Sequence, residues 1–245
     1  DKNRDYRIFI PCENKRVYLY NIDGTINEGW QFAGTDTRVT NPVQHIRINT
    51  RDYILLHDKY RVYILNRRGQ VRVPLKEQFA VSERNSFYLY QNGTTGFVTT
   101  DTAGVVRVID EKGNLTTKEF GEYSPKHFFL FEDLDADGKR DYIFVDGDEL
   151  EIFKEKGDKL FDYTFDHEVT EAPAYYYFSY NDRKLGVADR QAEEIYLFDS
   201  EGEQYDGFPL QGSTPFTIGF LGNDHKYFNL LVGTKENFLY NYTVH

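Results

Sequence analysis

A short pattern of strands repeats along the whole chain, and this repeat restricts the possible folds more than any other feature. Six apolar segments recur at intervals of 43 to 47 residues, beginning near residues 5, 52, 96, 141, 184 and 227. A second apolar segment follows each of them. In five units this second segment runs into a glycine turn, at Gly24, Gly69, Gly113, Gly157 and Gly202. Such spacing predicts one supersecondary unit per repeat.

Two more strands are predicted in each unit. The third is expected at aromatic positions, namely Trp30 to Phe32, Phe79, Phe120, Tyr163 to Phe165 and Phe208 to Leu210. The fourth, an inner strand, is expected near His45, Ser86, His127, Tyr175 and Phe216. No segment shows helical periodicity. Four strands in roughly 44 residues predict an all-β fold, a β-propeller of about six four-stranded blade units.

We expect residues 1–245 to form a single propeller domain, because no Pro-, Gly- or Ser-rich linker interrupts the repeat. The strand pattern predicts incomplete terminal blades: the first unit should lack its innermost strand and the last its outermost. Two arrangements remain open. Six blades close with two three-stranded terminal blades, or the chain is a segment of a seven- or eight-bladed ring or of a longer protein.

The most specific chemical motif is an acidic loop at residues 133–141, Asp-Leu-Asp-Ala-Asp-Gly-Lys-Arg-Asp. Closely spaced carboxylates repel one another unless a cation lies between them, and oxygen ligands favour a hard cation. The motif therefore predicts one structural calcium site. Its expected ligands are Asp133, Asp135, Asp137, the Lys139 carbonyl and Asp141. The alternative is a solvated acidic turn without an ion.

The segment FEDLDADGKRDYIFVDGD, residues 131 to 148, resembles the FG-GAP and VCBS-type propeller repeats, which are integrin-alpha-like. In that family an inner strand leads through such a loop into the next strand, and the resemblance implies a calcium-binding propeller. Phe144 stands where a helix-loop-helix calcium hand has its bidentate Glu. The other units lack the three spaced carboxylates. Their strand-turn-strand sequence pattern is more loosely similar to pyrroloquinoline-quinone-type repeats.

Charge and cysteine content restrict the partners and the compartment. The net charge is −11 and the basic residues are scattered, which argues against nucleic-acid binding. No apolar run is long enough to insert this segment into a membrane. Cys12 is the only cysteine, so no intrachain disulfide can form. Because a weak calcium loop fills most readily where calcium is millimolar, we expect a periplasmic, cell-surface or secreted protein, with a bacterial envelope favoured.

Candidate catalytic residues are few. His45 and His127 occupy similar places on inner strands, but two imidazoles without a third ligand make a weak metal site. Asp146 and Asp148 are interpreted as turn residues. The rings of Tyr175 to Phe178 are expected to pack alternately between blades, although they could stack on a partner.

Three functions remain open. The favoured hypothesis is a non-catalytic recognition or scaffold module that binds a protein or a glycan. The second is an extracytoplasmic enzyme, either carbohydrate-active or quinone-dependent, whose site the sequence does not identify. The third is a structural component of a cell-envelope assembly.

Overall fold

The computed structural model describes residues 6–221 and 227–244. Every regular element among them is a β-strand, which confirms the all-β prediction. The described part of the chain contains no helix with the length and hydrophobicity needed to cross a bilayer. The predicted unit start at residue 5 and the connection at residues 222–226 lie outside the described residues.

The chain divides into two compact units between Lys126 and His127. The strands of the first unit are β1 Arg7–Pro11, β2 Val17–Asn21, β3 Gln44–Ile48, β4 Arg51–His57, β5 Val62–Leu65, β6 Val71–Val73, β7 Tyr88–Asn92, β8 Thr94–Thr100, β9 Val106–Asp110 and β10 Leu115–Lys118. They form three antiparallel sheets, β1–β2, β3–β6 and β7–β10, in which each strand pairs with its neighbour in sequence.

The second unit contains three more sheets with the same strand order, β11–β14, β15–β18 and β19–β21. Its strands are β11 Phe128–Glu132, β12 Asp141–Asp146, β13 Glu149–Phe153, β14 Lys159–Thr164, β15 Ala174–Ser179, β16 Asp182–Asp189, β17 Glu194–Phe198, β18 Leu210–Gln211, β19 Thr217–Gly219, β20 Phe228–Gly233 and β21 Leu239–Val244. Among the described residues the last sheet has three strands, the number predicted for a shortened terminal unit, whereas the first sheet has two, one fewer than predicted.

Four of the six anchor residues of the repeat occupy equivalent strands. Tyr53, Phe97, Tyr142 and Leu185 each lie on the second strand of a four-stranded sheet, and all four are buried. These strands read as continuous apolar runs because both of their faces are covered. Strand β12, for example, is buried at every residue except its last.

The aromatic markers proposed for the third strand of each unit were wrong in most units. The outermost strand begins soon after the glycine turn, at β6 and β10, so Phe79 and Phe120 lie beyond it. Trp30 to Phe32 form no strand. The reason is packing: Phe79 is buried in the core of the first unit, and the Trp30 indole donates a 2.7 Å hydrogen bond to the Val17 carbonyl. These rings fill space on the return path to the next sheet.

Buried aspartates close the turn between the second and third strands of several sheets. One carboxylate oxygen of Asp58 accepts the amides of Tyr60 and Arg61, both at 2.9 Å. Asp101 and Asp189 accept two amides each in the same way. The carboxylate thereby satisfies amides that the strand ladder leaves without partners.

Candidate metal centre

The acidic loop connects the first two strands of sheet β11–β14 in the second unit, an edge strand and its central neighbour. Strand β11 ends at Glu132 and β12 begins at Asp141. Ala136 and Gly138 both adopt positive φ, 62° and 87°, and this curls the backbone around its own carboxylates. The amide of Gly138 donates to Asp133 Oδ2 at 3.1 Å. The loop therefore has the turn that its sequence predicts.

Three of the predicted ligands come together. Carboxylate oxygens of Asp133, Asp135 and Asp141 all lie within 4.8 Å of one another. Asp141 is buried, and its Oδ2 accepts the Leu134 amide at 2.8 Å. Burial, together with repulsion from Asp135 and Asp133, raises the pKa of Asp141 to about 7. This cluster is electrostatically unfavourable without a compensating positive charge.

Asp137, a fourth predicted ligand, and the side chain of Lys139 have other contacts. Asp137 lies outside the three-carboxylate group, and its Oδ1 accepts the Lys139 amide at 2.7 Å. The Lys139 ammonium points to Glu155, at 2.9 Å. The short acidic side chain of Asp137 thus closes its own turn of the loop.

Two cations that sequence reasoning missed contact the cluster. Lys154 Nζ lies 2.7 Å from Asp135 Oδ2. The Arg183 guanidinium pairs with the Asp133 carboxylate and also donates to the Asp133 carbonyl at 2.6 Å. The Tyr175 hydroxyl donates to the same carbonyl at 3.0 Å. The loop of sheet β11–β14 is therefore tied to strands β15 and β16 of the next sheet.

Both cations leave a signal in the repeat. Lys154 stands at the turn position where the other units carry Asn21, Asn66, Asp110 or Asp199. Arg183 stands two residues before its anchor, as Arg51 and Arg140 do. Lys154 therefore departs from the Asn or Asp that four other units carry at this position.

The residues fit a hard cation in part. Oδ1 of Asp133 is buried and has no hydrogen-bond partner among the described residues. Lys154 and Arg183 pair with Asp135 and Asp133, so the charge that develops when Asp141 ionises is not offset by either cation. Both the orphan oxygen and this remaining charge are what a calcium ion would satisfy. Lys154 and Arg183 would compete with such an ion for Asp135 and Asp133.

An aromatic hairpin lies beside this loop. Tyr177 and Tyr180, near the turn between β15 and β16, are 60% and 70% exposed. The Arg183 guanidinium lies over both rings, 5.4 Å and 5.9 Å from their centroids. Tyr176 and Phe178 instead stack on each other, 6.2 Å apart, and contact rings of the last sheet. Alternate rings of this run are thus packed, as expected, while Tyr177 is left on the surface.

The remaining candidates have structural contacts. His45 Nε2 lies 2.8 Å from Asp52 Oδ1, and His127 is fully buried. Asp146 and Asp148 flank the tight turn between β12 and β13, where the Asp148 carbonyl accepts the Phe165 amide at 2.8 Å. In the described part of the chain, the one group of three potential metal ligands is that of Asp133, Asp135 and Asp141.

Comparison with known proteins identifies the architecture. No protein-family model and no curated protein matches the chain. The chain aligns over 98% of its length with BBS1N in complex with ARL6DN, at a TM-score of 0.65 and 14% identity, covering 75% of that protein. The fold is a β-propeller.

A second BBS1N crystal gives a TM-score of 0.59 at 10% identity. The dihydro-heme d1 dehydrogenase NirN, in complex with DHE, gives 0.64 at 14% identity over 98% of this chain. The chain spans about half the length of NirN, 53%. Identities this low establish the fold and nothing finer, so the FG-GAP and VCBS resemblance stays a prediction.

Proposed function

We propose that this propeller is a non-catalytic recognition or scaffold module that binds a protein or glycan partner and carries one structural calcium. The observation on which the proposal rests is the pair of exposed tyrosines, Tyr177 and Tyr180, on a hairpin held to the acidic loop by Arg183. Tyrosine presents a large amphipathic surface at low entropic cost, which makes it a frequent interface anchor. BBS1N, a propeller of similar fold, was crystallised in complex with ARL6DN.

Calcium would have a structural role at this site. Its ligands lie on the loop between β11 and β12, and that loop is tied through Asp133 to the β15–β16 hairpin. A bound ion would offset the repulsion at Asp141 and satisfy Asp133 Oδ1. The ion would thereby make the acidic loop more rigid, and this loop contacts the hairpin that carries Tyr177 and Tyr180. Millimolar calcium outside the cytoplasm supports our proposal of a periplasmic, cell-surface or secreted location.

Calorimetry and thermal unfolding of chelator-treated protein test the calcium. We expect heat on calcium addition and a higher Tm. Asp135→Asn should abolish both responses. Asp158→Asn is the matched control, because Asp158 is exposed on a turn of the same sheet. If calcium produced no heat and no Tm shift in the wild type, the calcium site would be refuted.

Glycan arrays and crosslinking to envelope proteins test recognition. A Tyr177→Ala/Tyr180→Ala double variant should lose a saturable interaction that the wild type shows. Tyr60→Ala is the control, since Tyr60 is 55% exposed in the other unit. Binding that is unaffected by the double variant would remove the hairpin from the interface. A pure scaffold role in an envelope assembly would give envelope crosslinks without a glycan signal.

An extracytoplasmic enzyme is the second candidate, and the likeness to NirN, a dehydrogenase, favours it. Activity screens with glycans and with quinone-dependent dehydrogenase substrates would test it. Turnover that persists in Asp135→Asn and in the tyrosine double variant would make this candidate the better one.

A further inference from the structure

One end of sheet β3–β6, in the first unit, concentrates positive charge. The turns β3–β4 and β5–β6 both lie at this end, because the strands form an antiparallel meander. The basic side chains there include those of His45, Arg47, Arg51, Arg67 and Arg72. We call this group the arginine end. It is unusual in a chain with a net charge of −11.

Three of these residues lie next to the Asp52 carboxylate or pair with Asp52 in the sheet. His45 lies 2.8 Å from its Oδ1, Arg67 lies 3.7 Å from its Oδ2, and Arg47 is its register partner across β3 and β4. Burial would raise the pKa of Asp52, but the His45 hydrogen bond and the charges of His45, Arg67 and Arg47 hold it below its ordinary value. One carboxylate thus orients several cations without neutralising them all.

A second carboxylate reaches the arginine end from the turn between β9 and β10. Glu111 accepts the hydroxyl of Tyr53 and lies 4.0 Å from the Arg51 guanidinium. Arg72 lies over the Tyr53 ring, 5.2 Å from its centroid, and its Nε is buried without a hydrogen-bond partner among the described residues. Two carboxylates therefore face four arginines and a histidine.

The arginines retain free donors. The separations of Arg67 from Asp52 and of Arg51 from Glu111, 3.7 Å and 4.0 Å, exceed hydrogen-bond distance. Their side chains are 56% and 67% exposed. A guanidinium binds a carboxylate through two parallel hydrogen bonds, which suits it to acidic partners.

We propose that the arginine end is a docking surface for an acidic segment of a protein partner, one rich in Asp and Glu. This inference names a partner class for the recognition function proposed above and rests on it. A peptide places a few carboxylates against this one patch. A nucleic-acid strand, in contrast, carries a continuous line of phosphates that would also meet the acidic remainder of the chain.

Fluorescence anisotropy with a fluorescein-labelled oligoglutamate peptide tests the proposal on the full chain. Wild-type protein should bind it, and affinity should fall as salt increases. An Arg51→Gln/Arg67→Gln double variant should bind roughly twofold to thirtyfold more weakly, because two exposed charge pairs are lost. An Arg38→Gln/Arg61→Gln variant is the control, as it removes two exposed arginines of the same unit, with exposures of 66% and 52%.

Three results would overturn the proposal: no binding of oligoglutamate, equal weakening by the control variant, or tighter binding of single-stranded RNA than of oligoglutamate at the same salt. Circular dichroism would verify that both double variants are folded. The calcium and tyrosine experiments use the other unit. Their failure would therefore count against the proposed recognition module and its calcium, while failure of peptide binding with those experiments intact would count against this surface.

Discussion

The link between Arg183 and Asp133 makes a quantitative prediction about stability. Arg183 and Asp133 side chains are 7% and 15% exposed. Removing one partner of such a buried pair leaves the other charge uncompensated, which costs about 3–5 kcal/mol. Arg183→Met keeps most of the side-chain volume while deleting the guanidinium. We therefore expect a loss of that size in the free energy of unfolding when a chelator is present.

Calcium should reverse part of this loss. Without Arg183, the Asp133 carboxylate no longer has a competing cation, so calcium affinity should rise. At free calcium about one hundred times Kd, binding adds about 2.7 kcal/mol to the stability of the folded state. Urea unfolding with chelator and with calcium measures both effects. The stabilisation by calcium should be larger in Arg183→Met than in the wild type at the same free calcium.

Arg190→Met provides the control. Arg190 lies in the same unit, is 62% exposed and contacts Glu171 at 3.4 Å. Exposed pairs contribute about 0–1 kcal/mol, so this variant should be nearly neutral. The reasoning would be refuted if both variants lost similar stability in chelator, or if calcium stabilised Arg183→Met no more than the wild type.

Three other changes should have distinct effects. Gly96→Ala should destabilise the chain by several kcal/mol, because its Cβ would collide with a carbonyl of strand β9. Gly219→Ala is the control, because the space around its Cβ is open. Thermal unfolding should show a lower Tm in the first variant alone. Burial lowers the pKa of His57, so the unfolded chain binds protons more readily and stability should fall below about pH 6.5; His57→Gln should flatten that part of a Tm-against-pH curve. Asp135→Ala should speed limited proteolysis between β11 and β12, in the presence of calcium, relative to wild type.

Each of these expectations has a clear contrary result. Equal Tm values for the two glycine variants would mean that strand β9 yields to a methyl group. An unchanged pH profile in His57→Gln would mean that other groups set the acid response. Unaltered cleavage in Asp135→Ala would show that the loop is rigid without its central carboxylate.

The repeat spacing predicted most of the fold because central strands are defined by local features. Apolar runs such as those around Tyr53 and Tyr142 have no other place to be buried, and the glycine turns fix where the next strand starts. Three of the outermost strands, β6, β10 and β18, have only two to four residues, so they have little apolar signal. The third strand of each unit was therefore predicted at aromatic residues such as Phe79, which instead pack on the segments that lead to the next sheet.

The sequence predicted the spacing of the carboxylates in the candidate site, but it did not predict the cationic side chains that surround them. The motif correctly placed Asp133, Asp135 and Asp141 on one turn between two strands. The positions of Lys154 and Arg183 depend on how strands β13 and β16 lie beside that loop, and this is tertiary information. The arginine end likewise comes from turns that are distant in sequence and adjacent in the sheet.

The strand order has a consequence for how the chain folds. Within the described sheets, every hydrogen-bonded pair joins strands that are consecutive in the chain. The entropy lost in closing each pair is therefore that of a short loop. Local strand pairing favours fast folding, so the individual sheets should form more quickly than those of a β-sandwich with long crossovers. During synthesis, each meander can complete its own ladder as soon as its last strand leaves the ribosome.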